Sequence, residues 1–254
     1  GAPVVEVDYK VWKPSYSLEA TSSTIIQGAD KLDVKATASP SNLCGVAASF
    51  ADATSFDVFT EPKCLVEWDI AGLTATATGT ALQMSKRVYQ AGSVNVGLNA
   101  YVINNDGSKI LVNREEIPVT VQNAADVVAF ALRNPPENAI ERVVEETTFE
   151  VIQEEGPSCS FYGSESEARD AASTRMSCIL EWDQIPEGLT EQTNTFYPTL
   201  NGFFTGDAGQ EQVAFSVYMV DESGSKSLID QRSYNIDLID PGMPDIEFAP
   251  IVDK

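Results

Sequence analysis

Along much of the chain, apolar and polar residues alternate with the period of a half-buried β-strand. Val94, Val96, Leu98, Ala100 and Val102 are separated by Asn95, Gly97, Asn99 and Tyr101, and Val213, Phe215, Val217 and Met219 repeat the pattern. Each run leads into turn chemistry, Asn104-Asn105-Asp106-Gly107 in the first case and Asp221-Glu222-Ser223-Gly224 in the second. Glycine tolerates the positive φ that such hairpin turns require. Beyond the turns the chain returns through Ile110, Val112, Ile117, Val119 and Val121, and through Leu228, Ile229, Tyr234, Ile236 and Leu238. Two long hairpins are therefore predicted. Helical signals are short: Ser164 followed by Glu167 has capping-box spacing, which predicts a helical turn leading into the Ala-rich stretch 168–173. No long helix is expected elsewhere.

The alternating runs belong to a larger self-similarity. Cys64, Val66 and Trp68 match Cys178, Leu180 and Trp182 at an offset of 114, and Asp69 and Asp183 follow the tryptophans. Cys44 and Cys159 are 115 apart, Gly72-Leu73 matches Gly188-Leu189 at 116, and the alternating strands match at 117. Anchors that keep their order over so small a drift define a tandem duplication of about 120 residues. The expected organisation is a first all-β unit over residues 1–122 and a second over 123–240. Residues 241–254 are expected to form a connector or the start of a further domain, because Ile246, Phe248 and Ile251 would suit a first strand, with an extra edge strand packed back on the second unit as the alternative.

Four cysteines without Cys-x-x-Cys spacing predict two disulfides, and a tandem repeat keeps its staple inside each copy: Cys44 with Cys64, Cys159 with Cys178. Disulfides place the protein outside the cell or at its surface, with the periplasm as alternative. Period two puts Cys64, Val66 and Trp68 on one face of their strand and Leu65, Glu67 and Asp69 on the other. Trp68 and Trp182 are thus expected in the two cores, beside the cystines. Glu67 with Asp69, and Glu181 with Asp183, are paired carboxylates of the kind a glycosidase needs, but a pair that recurs in both copies reads as a feature of the fold.

Charge and composition narrow the chemistry. The net charge is -22; residues 1–122 hold 9 basic and 13 acidic side chains and residues 123–254 hold 7 and 25, so the second half supplies 18 of the 22 excess negative charges. Phosphate backbones and anionic membranes would be repelled, so no nucleic acid partner is expected. Histidine is absent, which removes the commonest general base and metal ligand. No enzyme activity, cofactor or bound metal is expected. Calcium at a junction between units would draw on Asp126, Glu154, Glu155, Asp221 and Asp240, none of them in a ligand loop of fixed spacing. Phe196, Tyr197, Phe203 and Phe204 form an aromatic stretch found only in the second copy; core or inter-strand packing is expected for the hydrocarbon rings Phe196, Phe203 and Phe204, with a carbohydrate-binding face as the alternative. No apolar run approaches the roughly 20 residues of a membrane-spanning helix, so no membrane insertion is expected. The start, Gly1-Ala2-Pro3, has no charged or apolar leader region, which suggests a mature or trimmed piece.

The ending of each copy, an alternating strand with Ala100-Tyr101 or Val217-Tyr218, an Asp and Gly turn and a Val/Ile-rich last strand, resembles the last hairpin of bacterial immunoglobulin-like (Big-type) domains of large surface proteins and adhesins. Tandem arrays of this kind occur in Gram-negative adhesins and in large exported proteins of conjugative plasmids. The resemblance implies two tandem immunoglobulin-like antiparallel β-sandwiches, each with one intradomain disulfide. It also implies a non-catalytic module that serves as stalk and as binding surface for a protein or cell-surface partner, among neighbouring immunoglobulin-like domains in a longer chain. The cysteine gaps of 20 and 19 residues, with the Trp after the second Cys, depart from the antibody pattern. Some Gram-positive pilin domains use a Lys-Asn isopeptide bond instead; Lys226 and Lys254, the only lysines after residue 122, are both expected to be exposed, which argues against one.

Overall fold

The computed structural model describes residues 15–39, 45–47, 50–51, 63–70, 82–103, 106–133, 135–192 and 197–242. The backbone divides into two compact units, residues 1–123 and 124–254. No helix among the described residues is long and apolar enough to cross a membrane.

The first unit contains β1 (Ser15–Ala20), β2 (Thr24–Ile26), β3 (Lys31–Ser39), β4 (Gly45–Ala47), β5 (Lys63–Ile70), β6 (Gln83–Arg87), β7 (Gly92–Ile103) and β8 (Lys109–Gln122). They form a three-stranded sheet, β1-β3-β6, and a five-stranded sheet, β2-β8-β7-β5-β4. The core lies between the sheets, where Leu32, Val34 and Met84 of one meet Ile25, Ile70, Val94, Val96, Val119 and Val121 of the other. β3 shows why a strand forms here: Leu32, Val34 and Ala36 are buried while Lys31, Asp33, Lys35 and Thr37 face water.

The second unit contains a 3₁₀ turn (Ala124–Asp126), β9 (Ala129–Leu132), β10 (Ile140–Glu141), β11 (Glu146–Glu155), β12 (Ser160–Phe161), helix α1 (Glu165–Ala172), β13 (Ser177–Gln184), β14 (Leu189–Gln192), β15 (Thr199–Phe203), β16 (Gly209–Val220) and β17 (Lys226–Ile239). Its sheets run β14-β15-β11-β9 and β10-β17-β16-β13-β12. The five-stranded sheets therefore have the same order in both units, including the parallel pairings of β2 with β8 and β10 with β17. The parallel pairs β4 with β5 and β12 with β13 also correspond. Two facing sheets with a terminal hairpin in one and this connectivity make each unit an immunoglobulin-like sandwich by strand order.

The predicted hairpins are β7–β8 and β16–β17, with Gly107 (φ 81°) and Gly224 (φ 89°) in their turns. Both carry a β-bulge at the same place, between Ala100 and Tyr101 and between Val217 and Tyr218. The predicted cap is present too: Ser164 accepts from the Glu167 N–H at 3.3 Å and caps α1 inside the second cysteine loop.

Leu65 shares its strand face with Glu67 and Asp69, yet it is buried at 4% exposure. Tyr101, Ile103 and Ala47 cover it. Its counterpart Ile179 is covered by Ala168 of α1, with Val220 and Tyr162. Period two assigns faces but says nothing of what lies over the outer one. In each unit that outer face carries a small second core at the cysteine end of the strand, while Asp69 and Asp183 further along remain exposed.

Candidate functional site

Cys159 and Cys178 form a disulfide with Cα atoms 5.9 Å apart. It ties the chain between β11 and α1 to β13. Cys64 is fully buried, and Cys44 lies outside the described residues. The chain before Cys159 is shaped by Gln153. Its Nε2 donates to the carbonyls of Glu155 (3.0 Å) and Pro157 (2.7 Å), and its Oε1 accepts from the Cys159 N–H (2.9 Å). At the turn, Gly156 has φ 87°, and a Cβ there would lie 2.5 Å from the Val127 carbonyl, so no other residue fits without displacing backbone. Ser160 and Tyr162 then donate to the Met176 and Cys178 carbonyls, each at 3.0 Å.

These constraints leave an open cleft of about 850 Å³ on the second unit. One wall is the end of β11, Ile152 to Glu155; the other is the stretch from Ser158 through Gly163, with Glu167 of α1 and Arg175 after it. Tyr197, just before β15, and Arg133, just after β9, close one side. Arg133 is fixed three ways: its N–H donates to the Glu150 carbonyl at 2.7 Å, its guanidinium pairs with the Glu150 carboxylate at 3.1 Å, and it lies over the Tyr197 ring at 5.4 Å. The Tyr197 side is thus a backed aromatic surface, 42% exposed. Arg175 is exposed and forms no ion pair among the described residues. Glu154, Glu155 and Glu167 are exposed as well.

Of the aromatic stretch, Phe204 is fully buried, edge-on to Phe149 at 6.1 Å, as core packing predicts. Tyr197 and Phe203 are each 42% exposed, and for Phe203 this departs from the core packing expected of it. They lie apart, Tyr197 at the cleft and Phe203 beside Gly188 at the far end of β15. Phe196 lies outside the described residues.

Trp68 is partly buried against the first unit's core, and Trp182 packs edge-on to Phe215 at 5.8 Å. The indole N–H of each is shielded from water without a hydrogen-bond partner. Glu67 and Glu181 hold lysines: Lys109 pairs with Glu67, and Lys226 bridges Glu181 (2.7 Å) and Glu165 of α1 (2.8 Å). Both lysines also lie over the tyrosine of the bulge, Tyr101 at 5.4 Å and Tyr218 at 5.3 Å. Asp183 accepts from Ser216 at 2.7 Å. The carboxylate pairs therefore serve the sheet. The structure places no three of Asp126, Glu154, Glu155, Asp221 and Asp240 in a metal-binding group among the described residues. Asp221 instead accepts from Ser223 and Ser225 in its turn, and Asp240 pairs with Arg142. Lys254 lies outside the described residues.

No protein-family model and no curated protein matches the sequence. Solved structures do resemble it. A tandem from titin is 10% identical with a TM-score of 0.38, over 90% of this chain and 66% of that one. The Yersinia pseudotuberculosis adhesin InvE is 14% identical with a TM-score of 0.29, over 88% of this chain and 58% of that one. A Bacteroides ovatus mixed-linkage glucan utilization protein, SGBP-B, solved with a mixed-linkage heptasaccharide, is 16% identical with a TM-score of 0.26 over 94% of this chain. The chain spans about half the length of the SGBP-B chain, 46%. At such scores the assignment of the fold rests on strand order and register.

Proposed function

We propose that the chain is a non-catalytic immunoglobulin-like module of an exported bacterial surface or secreted protein. It acts as spacer and, through the cleft of its second unit, as a binding surface for a cell-surface partner. Membership of the Big-type class, and of plasmid-encoded exported proteins, belongs to the same proposal. The observation that carries it is the cleft itself: a concavity held by a disulfide, a capped helix and a glycine turn, with an exposed aromatic ring and ionic side chains along it. Rigid support under exposed recognition groups is what binding needs, because little ordering entropy is then lost on association.

The cystine fits an oxidising compartment. Against catalysis stands the absence of histidine from the sequence. The cleft carboxylates Glu154, Glu155 and Glu167 are exposed. No cofactor and no nucleic acid is part of the proposal. The test is capture of cell-surface components on the immobilised two-unit chain, with Tyr197→Ala as control. Capture that depends on Tyr197 supports the cleft; capture that is unchanged by the substitution removes it from the proposal.

A further inference from the structure

Resting on that reading, we propose that the cleft takes a neutral saccharide, with a sugar ring stacked on Tyr197. Three observations converge on this ligand class. First, the Tyr197 ring is accessible and is backed by Arg133, itself paired with Glu150, which lies over it. An aromatic face carries the negative part of the ring quadrupole, and the C–H bonds on one side of a pyranose present the matching positive edge. A cation already in place orders the ring before any ligand arrives, so stacking costs little side-chain entropy.

Second, the polar groups along the cleft are of both kinds. Glu154, Glu155 and Glu167 can only accept hydrogen bonds, and Arg175, which forms no ion pair among the described residues, can only donate them. A hydroxyl does both, so a polyol can satisfy the acceptors and the donor together. An apolar ligand would strand them without partners, at a cost for each group taken from water.

Third, the charge count excludes the obvious charged ligands. With Arg133 neutralised by Glu150, the remaining lining has one guanidinium against three carboxylates, in the half of the chain that carries 18 of the 22 excess negative charges. A phosphate, sulfate or uronate would be repelled. A cation would have to compete with Arg175, and no three of the acidic side chains converge as metal ligands among the described residues.

The proposal is tested by titration calorimetry on the full chain with soluble neutral oligosaccharides of gluco, manno, galacto and xylo configuration. A uronate oligosaccharide and an oligolysine peptide serve as comparators. At least one neutral oligosaccharide is expected to bind. Tyr197→Ala should then weaken binding by about tenfold or more, and Tyr197→Phe should keep it within about threefold, because the ring and not the hydroxyl makes the contact. Arg175→Ala should weaken it several-fold. Circular dichroism shows whether each variant is folded, and both side chains are exposed enough for truncation to be tolerated. Tighter binding of the uronate or of oligolysine overturns the assignment, as does neutral-sugar binding that survives Tyr197→Ala. If no neutral sugar binds while surface capture still depends on Tyr197, the saccharide is wrong and the binding cleft stands; if capture is also independent of Tyr197, both fall.

Discussion

Val143 is a β-branched residue with φ 57°, in the left-handed region that L side chains other than Asn and Asp rarely occupy. It is also 53% exposed, and Val144 beside it is 59% exposed. The sister unit shows what the turn needs. Gly28, 115 positions earlier, has φ 66° and donates to the Val88 carbonyl at 2.8 Å, as Val143 donates to that of Phe204 at 3.0 Å. The flanking bonds match as well, Gln27 to Gln122 and Arg142 to Ile239. The left-handed conformation costs an L residue roughly 1–2 kcal/mol, and glycine returns about half of that through its greater freedom in the unfolded chain. Val143→Gly is therefore expected to stabilise the second unit by about 1 kcal/mol in urea denaturation, and Gly28→Val, at a buried position, to destabilise the first by about 2 kcal/mol. No pattern in the sequence announces this strain. The same limit hid the accessibility of Tyr197. Aromatic identity was plain at Phe203 and Phe204, but which one faces the core depends on the register of β15 against β11, where Phe203 is opposite Glu146. The other cleft residues, Arg133 and Arg175, had no motif to single them out; each is brought to the cleft by the end of an element, β9 or α1.

At the scale of elements, the repeat, the hairpins and the capped helix were all legible, because each rests on local periodicity or local hydrogen bonding. What covers the outer face of β5 and β13 was not, since it depends on where the cysteine loop folds back. In the second unit two links hold that loop, the Cys159–Cys178 disulfide and Lys226. Replacing both cysteines by serine releases a closed loop with a sequence separation of 19. That should cost about 3 kcal/mol by loop-closure entropy, read by chemical denaturation, and should weaken any ligand of the cleft, which Cys159 lines. In the first unit, peptide mapping without reduction is expected to find Cys44 joined to Cys64. Lys226 acts differently. Glu165 first and then Glu181 raise its pKa well above the ordinary lysine value, so the charged form is favoured by folding. The contribution is complete below the unfolded lysine pKa and is lost only as pH rises through the folded one, in strongly alkaline solution. Lys226→Met is expected to leave the sheets intact and to speed amide exchange in α1, whose Glu165 loses its tie to β17; unchanged exchange over 165–172 would show that the ion pairs do not anchor the helix.

At the scale of the whole molecule, the charge distribution is the property with the widest consequence. The two halves share strand order, bulges and hairpins, yet one carries a net charge of -4 and the other -18. A shared fold with different charge separates the effect of self-repulsion from that of architecture. Carboxylates outnumber their partners in the second unit, where Arg133, Arg142, Arg169, Arg232 and Lys226 already pair with acidic side chains. The surplus repels itself across the surface and raises the free energy of the compact state relative to the expanded chain. Salt shortens the reach of this repulsion from about 30 Å at ~0.01 M to about 10 Å at ~0.1 M. Each unit has its own core, so each should report its own stability. Residues 1–123 and 124–254, prepared separately, are expected to fold, and the second to gain clearly more in melting temperature between ~0.01 M and ~0.5 M sodium chloride than the first. Chloride binding or general salting-out would raise both alike. Equal gains would mean that the acidic surplus of the second unit is spaced widely enough to cost nothing in folding, and would leave its influence on charged ligands as its one physical effect.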